Sequence, residues 1–125
     1  MPKLVLIRGL PGSGKSTKAK TDYQGHIHLE ADQFMRDERG NYCFDADRLP
    51  LAHSLCILKC RNALKRGDSV VVSNTFITHP EMQPYFDMAA DLGVCIEVVV
   101  ATGNFENVHD VPAEIIQKMR ELWQP

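Results

Sequence analysis

A glycine-rich segment between a strand and a helix constrains the fold of this chain more than any other feature. Residues 9–16 read GLPGSGKS and match the pattern G-x-x-x-x-G-K-S/T at every position. The stretch before it, Lys3–Arg8, is short, β-branched and apolar, which predicts a buried strand. The residues from Gly14 to about Asp22 are predicted to be helical. This order predicts a P-loop, in which backbone N–H groups and the helix dipole hold phosphate oxygens.

The residue types of this loop also predict what it binds. The side chain of Lys15 can reach the outer phosphates of a nucleotide, and the hydroxyl of Ser16 can ligate Mg²⁺. We therefore expect ATP and Mg²⁺ as cofactors. The strand–helix context argues against the alternative, a glycine-rich turn that binds nothing. The predicted nucleotide-binding residues are Gly12, Ser13, Gly14, Lys15, Ser16 and Thr17.

Strands and helices alternate along the rest of the chain. Further strands are predicted at 26–30, 69–73 and 94–101, helices at 47–66, 80–92 and 112–123, and a turn or short helix at 31–37. Such alternation predicts an α/β fold with a four-stranded parallel sheet and helices on both faces. The length of 125 residues predicts one domain that spans residues 1–125. Ligands of such sheets bind at the carboxyl ends of the strands.

The composition restricts the kinds of partner that we expect for this chain. The net charge of −2 gives no overall field that would attract DNA or a membrane, although a local basic groove stays possible. Neither a secretory signal nor an apolar run of membrane-spanning length is evident, so we expect a cytoplasmic protein without a membrane association. Cys56 and Cys60 in a helix and Cys95 in a strand are predicted to be buried thiols. The sequence does not predict the oligomeric state.

Asp32 is the candidate catalytic carboxylate. It follows the second predicted strand by two residues, which places it opposite the P-loop in the predicted sheet. A carboxylate at this place can take the proton of an attacking hydroxyl during phosphoryl transfer. Alternatively, Asp32 only caps the short helix that follows. The spacing alone favours neither interpretation.

Four segments in this order carry a resemblance to a known family: residues 9–17, 31–34 (ADQF), 71–75 (VVSNT) and 107–112 (NVHDVP). Together they resemble the polynucleotide-kinase-like branch of the P-loop kinases, over almost the whole chain. The resemblance implies a P-loop NTPase fold of three layers, Mg-ATP as cofactor, and phosphoryl transfer to a hydroxyl. It also implies that Lys15 and Ser16 hold phosphates and metal, that Asp32 is the general base, and that residues 102–110 form a lid.

The lid departs from the pattern of this family. Kinases of the group usually carry an arginine there, which can contribute about 10³ or more in rate, whereas residues 102–110 (TGNFENVHD) contain neither Lys nor Arg. His109 could supply positive charge when protonated. Arg120 on the last helix could reach inward, although a solvated helix face is the favoured interpretation.

Two further departures concern the acceptor and the metal. The family's polynucleotide kinases carry an arginine three residues after the aspartate, where this chain has Met35 followed by Arg36. Arg36 and His53, which lies near the start of the long helix, remain possible acceptor contacts, although a histidine on the helix surface is the favoured interpretation of His53. An aspartate is common at the end of the third strand, where this chain has Asn74, which brings no negative charge. Mg²⁺ would then depend more on Ser16, Asp32 and the nucleotide itself.

These residues lead to one main hypothesis and two alternatives. The main hypothesis is a kinase that transfers the γ-phosphate of ATP to a hydroxyl of a nucleotide or a nucleic-acid 5′ end, with Lys15 and Asp32 as catalytic residues. The first alternative is a nucleotide-binding module or regulatory subunit with little kinase activity, which the arginine-free lid favours. The second is a slow NTPase. The sequence does not identify the acceptor or the preferred nucleobase.

Overall fold

The computed structural model describes residues 2–35, 39–41, 45–103 and 111–125. Strands and helices alternate as the sequence predicts. The main elements are β1 (Lys3–Arg8), α1 (Lys15–Asp22), β2 (Ile27–Leu29), α2 (Leu49–Lys65), β3 (Val70–Asn74), α3 (His79–Leu92), β4 (Cys95–Val100) and α4 (Ala113–Leu122). Two 3-10 helices, Ala31–Phe34 and Ala46–Arg48, precede α2. The helix predicted at 47–66 becomes an α-helix only at Leu49, next to Pro50, which is well tolerated in a first helical turn.

The four strands form one parallel sheet in the order β2-β3-β1-β4. The central strand β1 pairs with β3 and β4, and its last residue, Arg8, lies between Asn74 and Val100. The carboxyl ends of three strands therefore align at one edge of the sheet. The loops that follow them meet there, and Gly9 N–H donates to the carbonyl of Thr75 at 3.2 Å.

Helices cover both faces of the sheet, as alternate strand residues require. On one face, Leu4, Leu6 and their β3 neighbours pack against α2 and α3 in the larger core cluster. On the other face, Val5 and Ile7 pack against Ala19 of α1. The α/β fold with a four-stranded parallel sheet and helices on both faces is confirmed.

β4 is an edge strand, and its exposure corrects one prediction. It pairs with β1 on one side, and its residues are all exposed or half-buried. Cys56 and Cys60 of α2 are buried as predicted, but Cys95 at the start of β4 is exposed. The prediction was wrong for Cys95 because strand propensity does not distinguish an edge strand from a central one.

Arg8 connects the end of β1 to the segment that follows α4. It is 3% exposed and donates from Nε to the carbonyl of Phe76 at 3.0 Å and from Nη2 to that of Gln124 at 2.5 Å. Its guanidinium carbon lies 4.0 Å from the centre of the Trp123 ring, within the range of a cation–π contact. We call this arrangement the Arg8 clamp. No helix in the described ranges is both long and apolar enough to cross a bilayer.

Candidate nucleotide-binding site

The P-loop connects β1 to α1 and needs glycine at two positions. Gly12 and Gly14 have φ angles of +82° and +89°, a region that side chains with a Cβ atom rarely adopt. Gly14 is the N-cap of α1, and its carbonyl accepts the N–H of Lys18 at 2.9 Å. The first N–H groups of a helix have no intrahelical partner, so those of α1 are available to phosphate oxygens.

Gly9, the first residue of the loop, is fixed by close packing. A Cβ atom at this position would collide with the hydroxyl of Ser13 and would lie 2.8 Å from the carbonyl oxygen of Ala101. Ser13 is buried, and the N–H of Gly103 donates to its carbonyl at 3.0 Å. The P-loop is therefore held closely against the segment that follows β4.

The carboxylates of Glu30 and Asp32 lie close enough to Lys15 to act on it electrostatically. The Nζ of Lys15 donates to the carbonyl of Leu10 in its own loop at 3.0 Å. Burial lowers the pKa of Lys15, and the negative charges of Glu30 and Asp32 oppose this effect. The structure thus brings the predicted pair, Lys15 and Asp32, into electrostatic range of one another.

Ser16 contacts a carboxylate that the sequence analysis did not single out. Its hydroxyl donates to Oε1 of Glu30 at 2.5 Å. The same oxygen lies 2.9 Å from Nε2 of His28, which lies 2.7 Å from the hydroxyl of Ser73. Burial raises the pKa of Glu30, but the hydrogen bonds from His28 and Ser16 outweigh it, so that the pKa lies below its usual value. The position of Glu30 directly after a parallel strand is the signal that could have identified it.

Asp32 lies in the first turn of the 3-10 helix Ala31–Phe34. The N-cap of this helix is Glu30, so that Asp32 does not occupy the capping position. The helix is attached to the end of β3, because the N–H of Ala31 donates to Oδ1 of Asn74 at 2.8 Å. Asn74 is itself buried. Because Glu30 occupies the N-cap position, the structure does not support the alternative in which Asp32 caps this helix.

A cleft of about 360 Å³ opens beside the P-loop. It lies between the P-loop and α1 on one side and the segment after β4 on the other. Thr17, one of the predicted nucleotide-binding residues, is exposed and contributes to the cleft wall. The full lining consists of Ser13, Gly14, Thr17, Lys18, Thr21, Asp22, Val100, Ala101, Thr102 and Gly103. The cleft adjoins the phosphate-binding loop and is large enough for part of a nucleotide.

Of the remaining predicted contacts, the structure describes His53 and Arg120. His53 is half-buried on α2, the helix that packs against the 3-10 helix of Asp32. Arg120 is exposed and donates to Gln117 of its own helix at 2.9 Å, so the structure does not direct it into the site. Arg36, His109 and most of the predicted lid lie outside the described residues.

The donor set beside Ser16 fits a magnesium ion held partly by nucleotide phosphates. The hydroxyl of Ser16 and the carboxylate of Glu30 are oxygen ligands of the kind that Mg²⁺ prefers. Within the described ranges, no group of three or more His, Cys, Asp or Glu residues could hold a metal ion by itself. Mg²⁺ is usually bound by one or two protein groups together with phosphates and water. A pair of oxygen donors without a larger ligand cluster is therefore what a Mg²⁺–nucleotide site requires.

The parallel sheet, the P-loop and the carboxylates at its strand ends define a P-loop kinase fold. The chain belongs to the AAA domain family AAA_33, whose profile matches residues 4–109. It is 30% identical to the uncharacterized protein PM0531 of Pasteurella multocida, over 95% of this chain and 75% of that protein. It is 37% identical to the human NEDD4-binding protein 2, over 97% of this chain but only 8% of that much longer protein.

Solved structures with the same fold include kinases. A chain of the Pnkp1/Rnl/Hen1 complex superimposes with a TM-score of 0.67 and 22% identity, over 94% of this chain and 38% of that chain. A gluconokinase from Sinorhizobium meliloti superimposes with a TM-score of 0.60 and 20% identity, over 99% and 76% of the two chains. At these identities the likeness establishes the fold, which agrees with the resemblance in the sequence.

Proposed function

We propose that this chain is an ATP-dependent kinase that transfers the γ-phosphate of ATP to a hydroxyl of a nucleotide or of a nucleic-acid 5′ end. The observation that carries the proposal is the place of Asp32 in the 3-10 helix that follows β2 at the carboxyl edge of the sheet, from which its negative charge acts on Lys15 of the P-loop and opposes the lowering of the Lys15 pKa by burial. A cation for the phosphates and a carboxylate for the acceptor hydroxyl are the two groups that this chemistry needs.

Each residue has a defined task in this reaction. The oxygen of the acceptor hydroxyl forms a bond to the γ-phosphorus, the bond from that phosphorus to the bridging oxygen breaks, and ADP leaves. Asp32 takes the proton of the acceptor hydroxyl, and Lys15 stabilises the negative charge on the phosphates. Ser16 would hold Mg²⁺, which supplies further neutralisation of phosphate charge. The N–H groups at the start of α1 orient the phosphates.

The choice of acceptor rests on two arguments. The segments at 31–34, 71–75 and 107–112 resemble polynucleotide kinases, and a solved complex that shares the fold contains Pnkp1. The net charge of −2 favours a short acceptor over a long stretch of nucleic acid, because an extended phosphate backbone needs several cations along its path.

A turnover assay tests the proposal. The protein is incubated with Mg²⁺ and γ-labelled ATP, together with 5′-hydroxyl oligonucleotides or a panel of nucleosides. We expect label on one acceptor class, and a loss of transfer of about 10²-fold or more in Asp32→Asn, with nucleotide affinity nearly unchanged. Lys15→Ala should weaken nucleotide binding and abolish transfer. The matched control is Asp87→Asn, which removes an exposed carboxylate from α3.

One observation favours a second candidate, a nucleotide-binding module with little kinase activity. Residues 102–110 contain no Lys or Arg that could stabilise the charge on a transferring phosphoryl group. Under this alternative, calorimetry detects nucleotide binding that depends on Lys15, while no acceptor is labelled. Asp32→Asn would then have no functional consequence. Transfer that survives unchanged in Asp32→Asn would also contradict the role of this residue as the base.

A further inference from the structure

The serine of a P-loop usually shares its metal ion with an aspartate on a neighbouring strand. In this chain the end of β3 carries Ser73 and Asn74 and therefore no carboxylate. The structure shows why Asn74 does not serve the metal. Its Oδ1 accepts the N–H of Ala31 at 2.8 Å, its Nδ2 lies 3.9 Å from the sulfur of Cys56, and the residue is 8% exposed. Asn74 is thus committed to joining β3, α2 and the 3-10 helix.

Glu30 brings a carboxylate to the same place from the next strand. It directly follows β2, which pairs with β3, and its Oε1 accepts the hydroxyl of Ser16 at 2.5 Å. Its side chain is only 14% exposed, and His28 holds the same oxygen from the other side at 2.9 Å. A carboxylate that is held on two sides against the P-loop serine is already in position for a metal that this serine binds.

We propose that Glu30 is the carboxylate that holds the metal of the metal–nucleotide complex beside Ser16, so that β2 performs here the task of the β3 aspartate. The inference rests on the proposed function, since it assumes that the P-loop binds a metal–nucleotide complex. It adds a residue that neither the motif nor the family pattern assigns.

The negative charge of Glu30 has opposite effects on a divalent cation and on a nucleotide that carries no metal. It attracts a divalent cation, but it repels the phosphates of a nucleotide that carries no metal. A residue that merely supports the loop would strengthen the binding of both. The direction of the two effects therefore separates a metal-holding role from a structural one.

The test uses Glu30→Gln, which keeps the shape and the oxygen that accepts the Ser16 hydroxyl but removes the charge. Calorimetry with ADP and a chelator measures metal-free binding, and electron paramagnetic resonance measures the affinity of Mn²⁺ for the protein–ADP complex. We expect the Mn²⁺ affinity to fall about tenfold or more, while metal-free ADP binds equally well or several-fold more tightly. Glu97→Gln, which removes an exposed carboxylate of β4, should change neither value.

A second variant guards against a local folding defect. Glu30→Asp keeps the charge but shortens the side chain, and its Mn²⁺ affinity should lie between those of the wild type and Glu30→Gln. Unchanged Mn²⁺ affinity in Glu30→Gln, or an equal loss of both affinities, would overturn the inference. A wild type that binds no ADP would instead overturn the proposed function, and the inference with it, so the two failures are distinguishable.

Discussion

The side-chain oxygen of Asn74 and the backbone N–H of Ala31 form a 2.8 Å hydrogen bond that fixes the segment of the two site carboxylates to the end of β3. Ala31 lies between Glu30 and Asp32, so this bond positions the backbone from which both carboxylates extend. The bond is buried. Its loss would leave a buried N–H group without a partner, which costs about 1–3 kcal/mol.

Asn74→Ala should therefore lower both stability and activity. We expect the free energy of unfolding to fall by about 1–3 kcal/mol, because the N–H of Ala31 loses its acceptor. Phosphoryl transfer should fall more than nucleotide affinity, because Asp32 is displaced while the P-loop stays intact. Denaturant unfolding and the turnover assay measure the two effects. A loss of transfer no larger than the loss of nucleotide affinity, or an unchanged free energy of unfolding, would contradict this explanation.

Gly9→Ala tests the close packing of the P-loop. The added Cβ would collide with the hydroxyl of Ser13 and crowd the carbonyl of Ala101. We expect a loss of about 1–3 kcal/mol in the free energy of unfolding, together with weaker nucleotide binding, since the loop must shift. Thermal unfolding and calorimetry measure both quantities. Gly40→Ala is unsuitable as a control because φ is +83° there, so Ser54→Ala on the exposed face of α2 is used instead.

Trp123→Ala tests the Arg8 clamp. The substitution removes the ring over the guanidinium of Arg8 and should cost about 2 kcal/mol in the free energy of unfolding. The neighbouring Leu122 is 66% exposed, so Leu122→Ala should change stability by less than about 0.5 kcal/mol. Denaturant unfolding of both variants gives the comparison. Equal stabilities of the two variants would show that the ring contributes nothing to the clamp.

Because the thiol of Cys60 is buried, we expect the protein to lose stability at alkaline pH. Burial raises the pKa of its thiol from 9.0 to about 12, so the folded state keeps the proton where the unfolded chain has lost it. Stability from this group is complete below pH 9 and decreases as the pH rises from 9 towards 12. Between pH 7 and pH 10 the wild type should lose about 1 kcal/mol more than Cys60→Ala. The measurement is urea unfolding at both pH values.

Cys95→Ala is the matched control for this pH dependence. Cys95 is exposed at the start of β4, so its removal should leave the alkaline decrease as it is in the wild type. A Cys60→Ala variant with the same decrease as the wild type would contradict the burial argument.

The sequence predicted the architecture because the signals of its elements are local. The alternation of apolar strands with helices, and the glycines of residues 9–16, depend only on residues that are close in sequence. The predicted α/β fold with a four-stranded parallel sheet was confirmed. Lys15 and Asp32 could also be singled out, since both follow strand ends. Their roles, however, stay predictions.

The sequence did not predict contacts between distant segments. Glu30 belongs to no motif, and its contact with Ser16 depends on the position of β2 in the sheet. The Arg8 clamp joins residues that are more than a hundred positions apart. Cys95 was placed wrongly for a related reason, because the order of the strands decides which of them lies at an edge.

The Arg8 clamp also has a consequence for the order in which the chain folds. Arg8 and Gln124 are 116 positions apart, so closing the chain between them costs conformational entropy and we expect this contact to form late in folding. Such a late contact contributes little to the folding barrier and much to the unfolding barrier. We therefore expect removal of the clamp to speed unfolding while the folding rate stays almost constant, which stopped-flow folding and unfolding rates of Trp123→Ala would test.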